Sequence, residues 1–271
     1  MKSACVGAHI PIDNSLKYLA LGARALDVGC FQFFVGSSTR FTLPKWHASD
    51  IEKFRVSVFG LKTYIHMPYT LNWCAPSSGK VGRFQSVILR KFGELGSMLR
   101  VDGLVLHVGF KKEMSDDEAT SNVLGYLNGV REWVDNVPVL LEIDSGSKNG
   151  SKAGSPEFIE GILQSLDGNF GMVVDTEHCW ARGLNLWDNE VLDQFYNRYK
   201  AWIKLVHFNV PDEGVALGSF VDRHNRLISS FELSSDYLLR KLGSIPLLVE
   251  RSNFLTAVDD VSYLLKFFAK V

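Results

Sequence analysis

Residues 103–108 read Gly-Leu-Val-Leu-His-Val and residues 137–143 read Val-Pro-Val-Leu-Leu-Glu-Ile, and the stretch between them, Asp117–Val134, carries apolar residues at helical spacing. A short continuous apolar run is a strand buried on both faces, and two such runs joined by an amphipathic helix lie parallel in one sheet. The same unit recurs on both sides of this pair. Further runs are Ala4–Ile10, Cys30–Val35, Thr63–Met67, Phe170–Asp175, Ile203–Phe208 and Ile245–Val249, and helical spacing marks Asn14–Leu26, Arg83–Leu99, Val191–Trp202 and Thr256–Ala269. Ser155-Pro156-Glu157 supplies a cap, a first-turn proline and an acid for one more helix. Eight strand–helix units in 271 residues predict one α/β domain over 1–271, a (β/α)8 TIM barrel, with a doubly wound open sheet as the alternative.

The barrel makes a demand that the open sheet does not: its chemistry sits at the C-terminal ends of the strands. Six successive runs close there on a residue that can hold a metal, namely His66, His107, Glu142, Asp175, His207 and Glu250. One His or Glu closing a strand is ordinarily a hydrogen-bonded core residue. Six in succession at one end of one fold are a convergence. His178, Asp222 and His224 complete a set of nine, which takes five of the seven histidines. Imidazoles and carboxylates without a thiolate suit zinc, manganese or iron. Nine donors exceed the three that a catalytic zinc takes from the protein, so they predict a cluster. Asp175 and His178 lie on a strand end and the turn after it, and Asp222 and His224 share one side of an extended segment, leaving Arg223 to clamp a phosphate.

Every apolar run breaks within about ten residues, well short of the roughly 20 of a spanning helix, so no membrane partner is expected. The opening Met1-Lys2-Ser3-Ala4-Cys5 leads into a strand rather than a secretory core, which predicts an intracellular, soluble protein of the cytoplasm or nucleus. Cys5, Cys30, Cys74 and Cys179 form no C-x-x-C pair and are expected to be free thiols. A net charge of −1 speaks against a nucleic-acid partner. Three divalent cations would raise that charge to about +5 in one cleft and draw in an anionic substrate. The Gly- and Ser-rich residues 145–155 read as a long active-site loop, with Lys148 and Lys152 as solvated lysines rather than phosphate contacts. Ser77-Ser78-Gly79-Lys80 fails as a phosphate loop, because Cys74 and Val81 stand where its first Gly and its Ser or Thr belong.

Taken in order, Gly7-Ala8-His9, His66-Met67-Pro68-Tyr69 with Leu71-Asn72, Leu106-His107-Val108-Gly109, Leu141-Glu142, Val174-Asp175-Thr176-Glu177-His178, His207-Phe208-Asn209, Gly218-Ser219-Phe220-Val221-Asp222-Arg223-His224 and Leu248-Val249-Glu250 span almost the whole chain. In these pieces the chain resembles the endonuclease IV family, zinc-dependent nucleases that cut DNA at abasic sites. The resemblance implies three zincs, with manganese or iron possible at some sites. His66, His107 and Glu142 would hold the first; Glu142 would bridge to a second held by Asp175, His207 and Glu250; and His178, Asp222 and His224 would hold the third. It implies Glu142, Glu250 and Arg223 as catalytic residues, His9, Thr39, Arg40, Tyr69 and Arg223 as DNA contacts, and a monomer acting on abasic duplex DNA.

The chain departs from the family at several places. Ile143-Asp144-Ser145-Gly146 replaces Asn-Thr-Ala-Gly, Glu177 stands where cysteine is common, and Val210-Pro211-Asp212 replaces Asp-Ser-Lys. The arginine of the loop after the second strand is displaced by one place, to Arg40 in Ser37-Ser38-Thr39-Arg40-Phe41. Two rival readings are a metal-dependent sugar isomerase or epimerase, for which two metals suffice, and a catalytically dead lesion-binding protein, which needs a lost ligand.

Overall fold

A computed structural model describes residues 4–12, 15–41 and 43–270. Met1, Lys2, Ser3 and Asn14, the predicted head of the first helix, lie outside the described residues. Eight strands close into a barrel in chain order: β1 (Val6–His9), β2 (Cys30–Phe34), β3 (Lys62–His66), β4 (Gly103–His107), β5 (Val139–Glu142), β6 (Phe170–Asp175), β7 (Ile203–His207) and β8 (Leu247–Val249). All neighbours are parallel, and β8 returns to β1 with Gly7 opposite Leu248. That last ladder excludes the open sheet.

Strand alternation sorts the side chains into two cores. Cys30, Tyr64, Val105, Leu140, Val173, Leu205 and Leu248, one from each of β2 to β8, pack on one another inside the barrel. Their chain neighbours, such as Phe31, Ile65, Leu104, Leu141, Met172, Val206 and Val249, belong to the larger core between the barrel and its helices. Side chains two apart share a face of a strand. The next inward residue on each strand is therefore Gln32, His66, His107, Glu142, Asp175, His207 and Glu250, with His9 two after Gly7. These eight polar side chains form a ring above the inner apolar layer.

The helices among the described residues are α1 (Leu16–Ala25), α2 (Ala48–Ser57), α3 (Gly79–Leu99), α4 (Asp116–Leu127), α5 (Arg131–Val134), α6 (Pro156–Gln164), α7 (Thr176–Ala181), α8 (Asn189–Tyr199), α9 (Asp236–Leu242) and α10 (Phe254–Phe268). The single helix expected over Asp117–Val134 is broken by a 3-10 turn at Asn128–Val130, where Asn-Gly costs helix stability. Ser155 caps α6 as expected, accepting from the Phe158 amide. After β6 the expected turn is instead the first turn of α7. Asp175 caps it by accepting from the amides of Glu177 and His178 at 2.8 and 3.0 Å. No described helix is long and apolar enough to cross a membrane.

The glycine at the base of the ring has a steric reason. A Cβ on Gly7 would lie 1.8 Å from the Cys30 carbonyl oxygen, a backbone atom that cannot yield without parting β1 from β2. Gly7→Ala should destabilise the fold by at least the ~1–3 kcal/mol of an overpacked core, lowering the melting temperature by roughly 2–4 °C per kcal/mol lost. Gly161→Ala in α6, where a Cβ meets nothing within 4 Å, should be neutral or stabilising. Equal melting temperatures for the two variants would contradict this account of Gly7.

Candidate metal centre

Glu142 sits at the middle of the polar ring, 1% exposed, and divides its oxygens. Oε2 lies 3.0 Å from His66 Nε2 and 3.4 Å from His107 Nε2, while Oε1 lies 3.1 Å from His207 Nδ1. His207 Nδ1 is also 3.3 Å from Glu250 Oε2 and 4.0 Å from Asp175 Oδ2. Donor atoms of His66, His107 and Glu142 gather within 4.8 Å of one another, and so do those of Glu142, Asp175, His207 and Glu250. The structure thus brings six of the nine predicted donors into two groups that share Glu142.

Backbone and amide oxygens aim the rings. His66 Nδ1 donates to the Met67 carbonyl at 2.8 Å, which turns Nε2 toward Glu142. His207 Nε2 donates to Gln32 Oε1 at 3.0 Å, which leaves Nδ1 facing the carboxylates. His178 Nδ1 donates to the Ile143 carbonyl at 2.8 Å, so its Nε2 points to Asp222. Fixing one ring nitrogen as the donor makes the other the metal ligand. Gln32 also donates to Glu250 at 2.7 Å, and Asn209 donates to Asp175 at 2.7 Å while accepting from the Glu250 amide. Sequence reasoning passed over Gln32, although it stands two residues beyond Cys30, as each strand-borne donor stands two beyond its inner-layer residue.

A third group lies outside the ring. His178 Nε2 is 3.3 Å from Asp222 Oδ2, and His224 Nδ1 is 3.1 Å from Asp222 Oδ1. Asp222 and His224 come from the segment after β7 and are partly open, with side chains 42% and 23% exposed. Glu177, unmarked as a donor in the sequence, joins Asp222 and His224 in one set of close donor atoms and Asp175 and His178 in another. It is fully buried.

The predicted nucleic-acid contacts are spread more widely. Tyr69 stands on the wall of a 550 Å³ cleft over the ring, edge-on to Phe34, His66 and His107 at 5.1–5.6 Å between ring centroids. His9 lines the same cleft, 3.5 Å from Glu250. Thr39 and Arg40 are exposed on the turn after β2, which is tied to the next loop where the Tyr69 amide donates to the Ser38 carbonyl. Arg223 is exposed and is not among the residues lining the cleft; its backbone amide donates to Glu177 Oε1. Lys148 is exposed as expected, whereas Lys152 is not a solvated loop lysine. Its Nζ lies 2.6 Å from Asp144 Oδ1 on the cleft wall, because its loop is pinned where the Ala153 amide donates to the Gly109 carbonyl. Asp144 Oδ2 in turn approaches His107 Nδ1 at 3.2 Å without forming an aligned hydrogen bond.

The family model described as Xylose isomerase-like TIM barrel matches residues 22–243. A Thermosipho africanus protein named "Probable endonuclease 4" is 25% identical over 240 residues, 82% of each chain. The crystal structure of endonuclease IV from Thermus thermophilus superposes with a TM-score of 0.81 at 21% identity, covering 98% of this chain and 99% of that one. A 3-keto-D-glucoside 4-epimerase from E. coli has the same fold, with a TM-score of 0.66 at 14% identity over 97% and 99% of the two chains.

The ionisable groups of this site are strongly coupled. Burial opposes ionisation of Glu142, but His107 and His207 outweigh it and hold the carboxyl well below the usual carboxylate range. Against burial, Glu250 and Glu142 push His207 up to about 9, and Asp222 and Glu177 push His224 up to about 10. His66 goes the other way, since burial outweighs its pairing with Glu142. Buried carboxylates and imidazoles in this proportion, with no thiolate among them, fit divalent cations, which must displace the imidazole protons on binding. An imidazole whose pKa is raised by folding contributes stability that is complete below its ordinary value of 6.5 and is lost as pH climbs through the folded value. Chelator-treated protein should therefore melt several degrees lower, on the order of 2–4 °C per kcal/mol lost, as pH rises from 6.5 to about 9. Calorimetry over that range checks it, and a flat profile would show that these imidazoles are not held protonated.

Proposed function

The chain belongs to the xylose isomerase-like TIM barrel family, and within that family we propose that it is a DNA-repair endonuclease that hydrolyses the phosphodiester bond 5′ to abasic sites in duplex DNA. It uses three zinc ions, leaves a 3′-hydroxyl and works as a monomer. The observation that carries this reading is a further set of donors, His178 and His224 each close to Asp222, standing beside two groups that share Glu142. Two metals are enough for sugar isomerisation or epimerisation, so a third group separates the nuclease from that alternative, for which the epimerase likeness supports the fold alone.

His66, His107 and Glu142 would hold one ion, Glu142 with Asp175, His207 and Glu250 a second, and His178, Asp222 and His224 the third. Bound zinc supplies Lewis acidity and brings the pKa of a water toward about 7, so that a nucleophile exists at neutral pH. The protein's part is preorganisation. Glu142 offers one oxygen to each side, and the Met67, Gln32 and Ile143 oxygens hold three imidazoles with their lone pairs inward. Lys152, paired with Asp144 on the cleft wall, is the ammonium nearest to arriving phosphate oxygens in this reading. An abasic nucleotide leaves the helix at less cost than a stacked, paired one, which favours the lesion. In this reading Tyr69, 48% exposed at the rim, fills the gap left in the duplex, with Arg40 and Thr39 on the neighbouring turn.

Incision of an abasic oligonucleotide should stop with chelator and return with zinc. A folded, metal-loaded protein that leaves the substrate whole would overturn the reading. Glu142→Gln keeps the size but removes the charge shared by two groups. It should cut incision by roughly 10³-fold or more, equivalent to about 4 kcal/mol of barrier, and release metal while the barrel stays folded. Near-normal incision by a stable Glu142→Gln protein would falsify the shared-carboxylate mechanism. Tyr69→Ala should weaken binding of abasic duplex roughly 10-fold, about 1.4 kcal/mol, with metal content unchanged. Arg40→Ala should weaken it in the same direction; wild-type binding by Arg40→Ala would reduce that residue to a surface arginine.

A further inference from the structure

Glu177 is the first-turn residue of α7, lies between Asp175 and His178 in the chain, and is 0% exposed. Its Oε1 accepts from the Arg223 amide at 3.3 Å, which fastens the carboxylate to the segment that brings in Asp222 and His224. Its Oε2 is buried, has no hydrogen-bond partner among the described residues, and lies 3.8 Å from His224 Nδ1. Asp175, also fully buried, has a donor atom within 4.8 Å of one on Glu177. Two buried carboxylates side by side, one with an oxygen that has no aligned hydrogen-bond partner, are unfavourable as anions unless cationic charge lies beside them, which a bound ion supplies once the imidazoles have given up their protons. A small apolar or thiol side chain would fill the position without that cost.

We propose that Glu177 is itself a ligand of the third ion, giving that site two carboxylates and two imidazoles: Glu177, Asp222, His178 and His224. The proposal rests on the three-ion reading above. Four protein donors are the number that encloses a zinc, against the three that leave a position open. The two carboxylates also make this donor set harder than that of His66, His107 and Glu142, and so a site that accepts manganese as well as zinc.

The test is a zinc titration of the metal-stripped full-length chain against a competing chromophoric chelator, for wild type, Glu177→Gln and Glu177→Ala, with circular dichroism of each. Wild type should take up three ions. Both variants should keep two at unchanged affinity and hold the third more weakly by more than the ~10–100-fold that loss of a merely supporting residue costs. Glu177→Gln, close in size to the native residue, covers the case in which Glu177→Ala does not fold. Variants that bind three ions as tightly as wild type would overturn the role of Glu177 and leave the three-ion reading standing. A wild type that saturates at two ions overturns both.

Discussion

Successive side chains of a strand point to opposite faces, and this period of two governs the whole molecule. One set of inward positions, from Cys30 round to Leu248, fills the barrel with apolar side chains. The next set, two residues on, is polar on every strand, from His9 and Gln32 round to Glu250. The fold needs no separate device to assemble its site. Closing the barrel delivers all eight polar side chains to one rim, because parallel strands end on the same side.

Such a rim is unfavourable without compensation. Glu142, Asp175 and His207 are each at most 1% exposed, and carboxylates so deep are tolerated only when paired. Here they are paired with imidazoles, and the other nitrogens of His66 and His207 are taken by the Met67 and Gln32 oxygens. Asp175 does three things at once: it caps α7, accepts from Asn209 and faces His207. Strand, helix and charge cluster are thereby tied through one carboxylate.

The barrel was legible because its strands are buried on both faces and so read as unbroken apolar runs. Six ring residues were legible because each is a polar residue closing such a run. Gln32 was not, since Phe33 and Phe34 follow it and the run continues past the ring position. His9 stood out through family resemblance alone. Glu177 was hidden for another reason: the segment between Asp175 and His178 reads as a turn, whereas in three dimensions it is the first turn of α7, capped by Asp175, with the Glu177 side chain buried. Lys152 was misread because composition marks residues 145–155 as flexible, whereas the Phe110 to Lys152 bridge fastens that loop to its neighbour.

Because packing and chemistry occupy different positions on the same strands, they answer to different selective pressures. Residues of the lower layer can drift only in size and shape, while those of the upper layer can be exchanged for other donors with little penalty to folding. A lineage carrying this barrel is free to inherit the scaffold intact while its reaction diverges, and the segments outside the ring, such as the one bearing Asp222 and His224, are where a new specificity can be added without altering the old architecture.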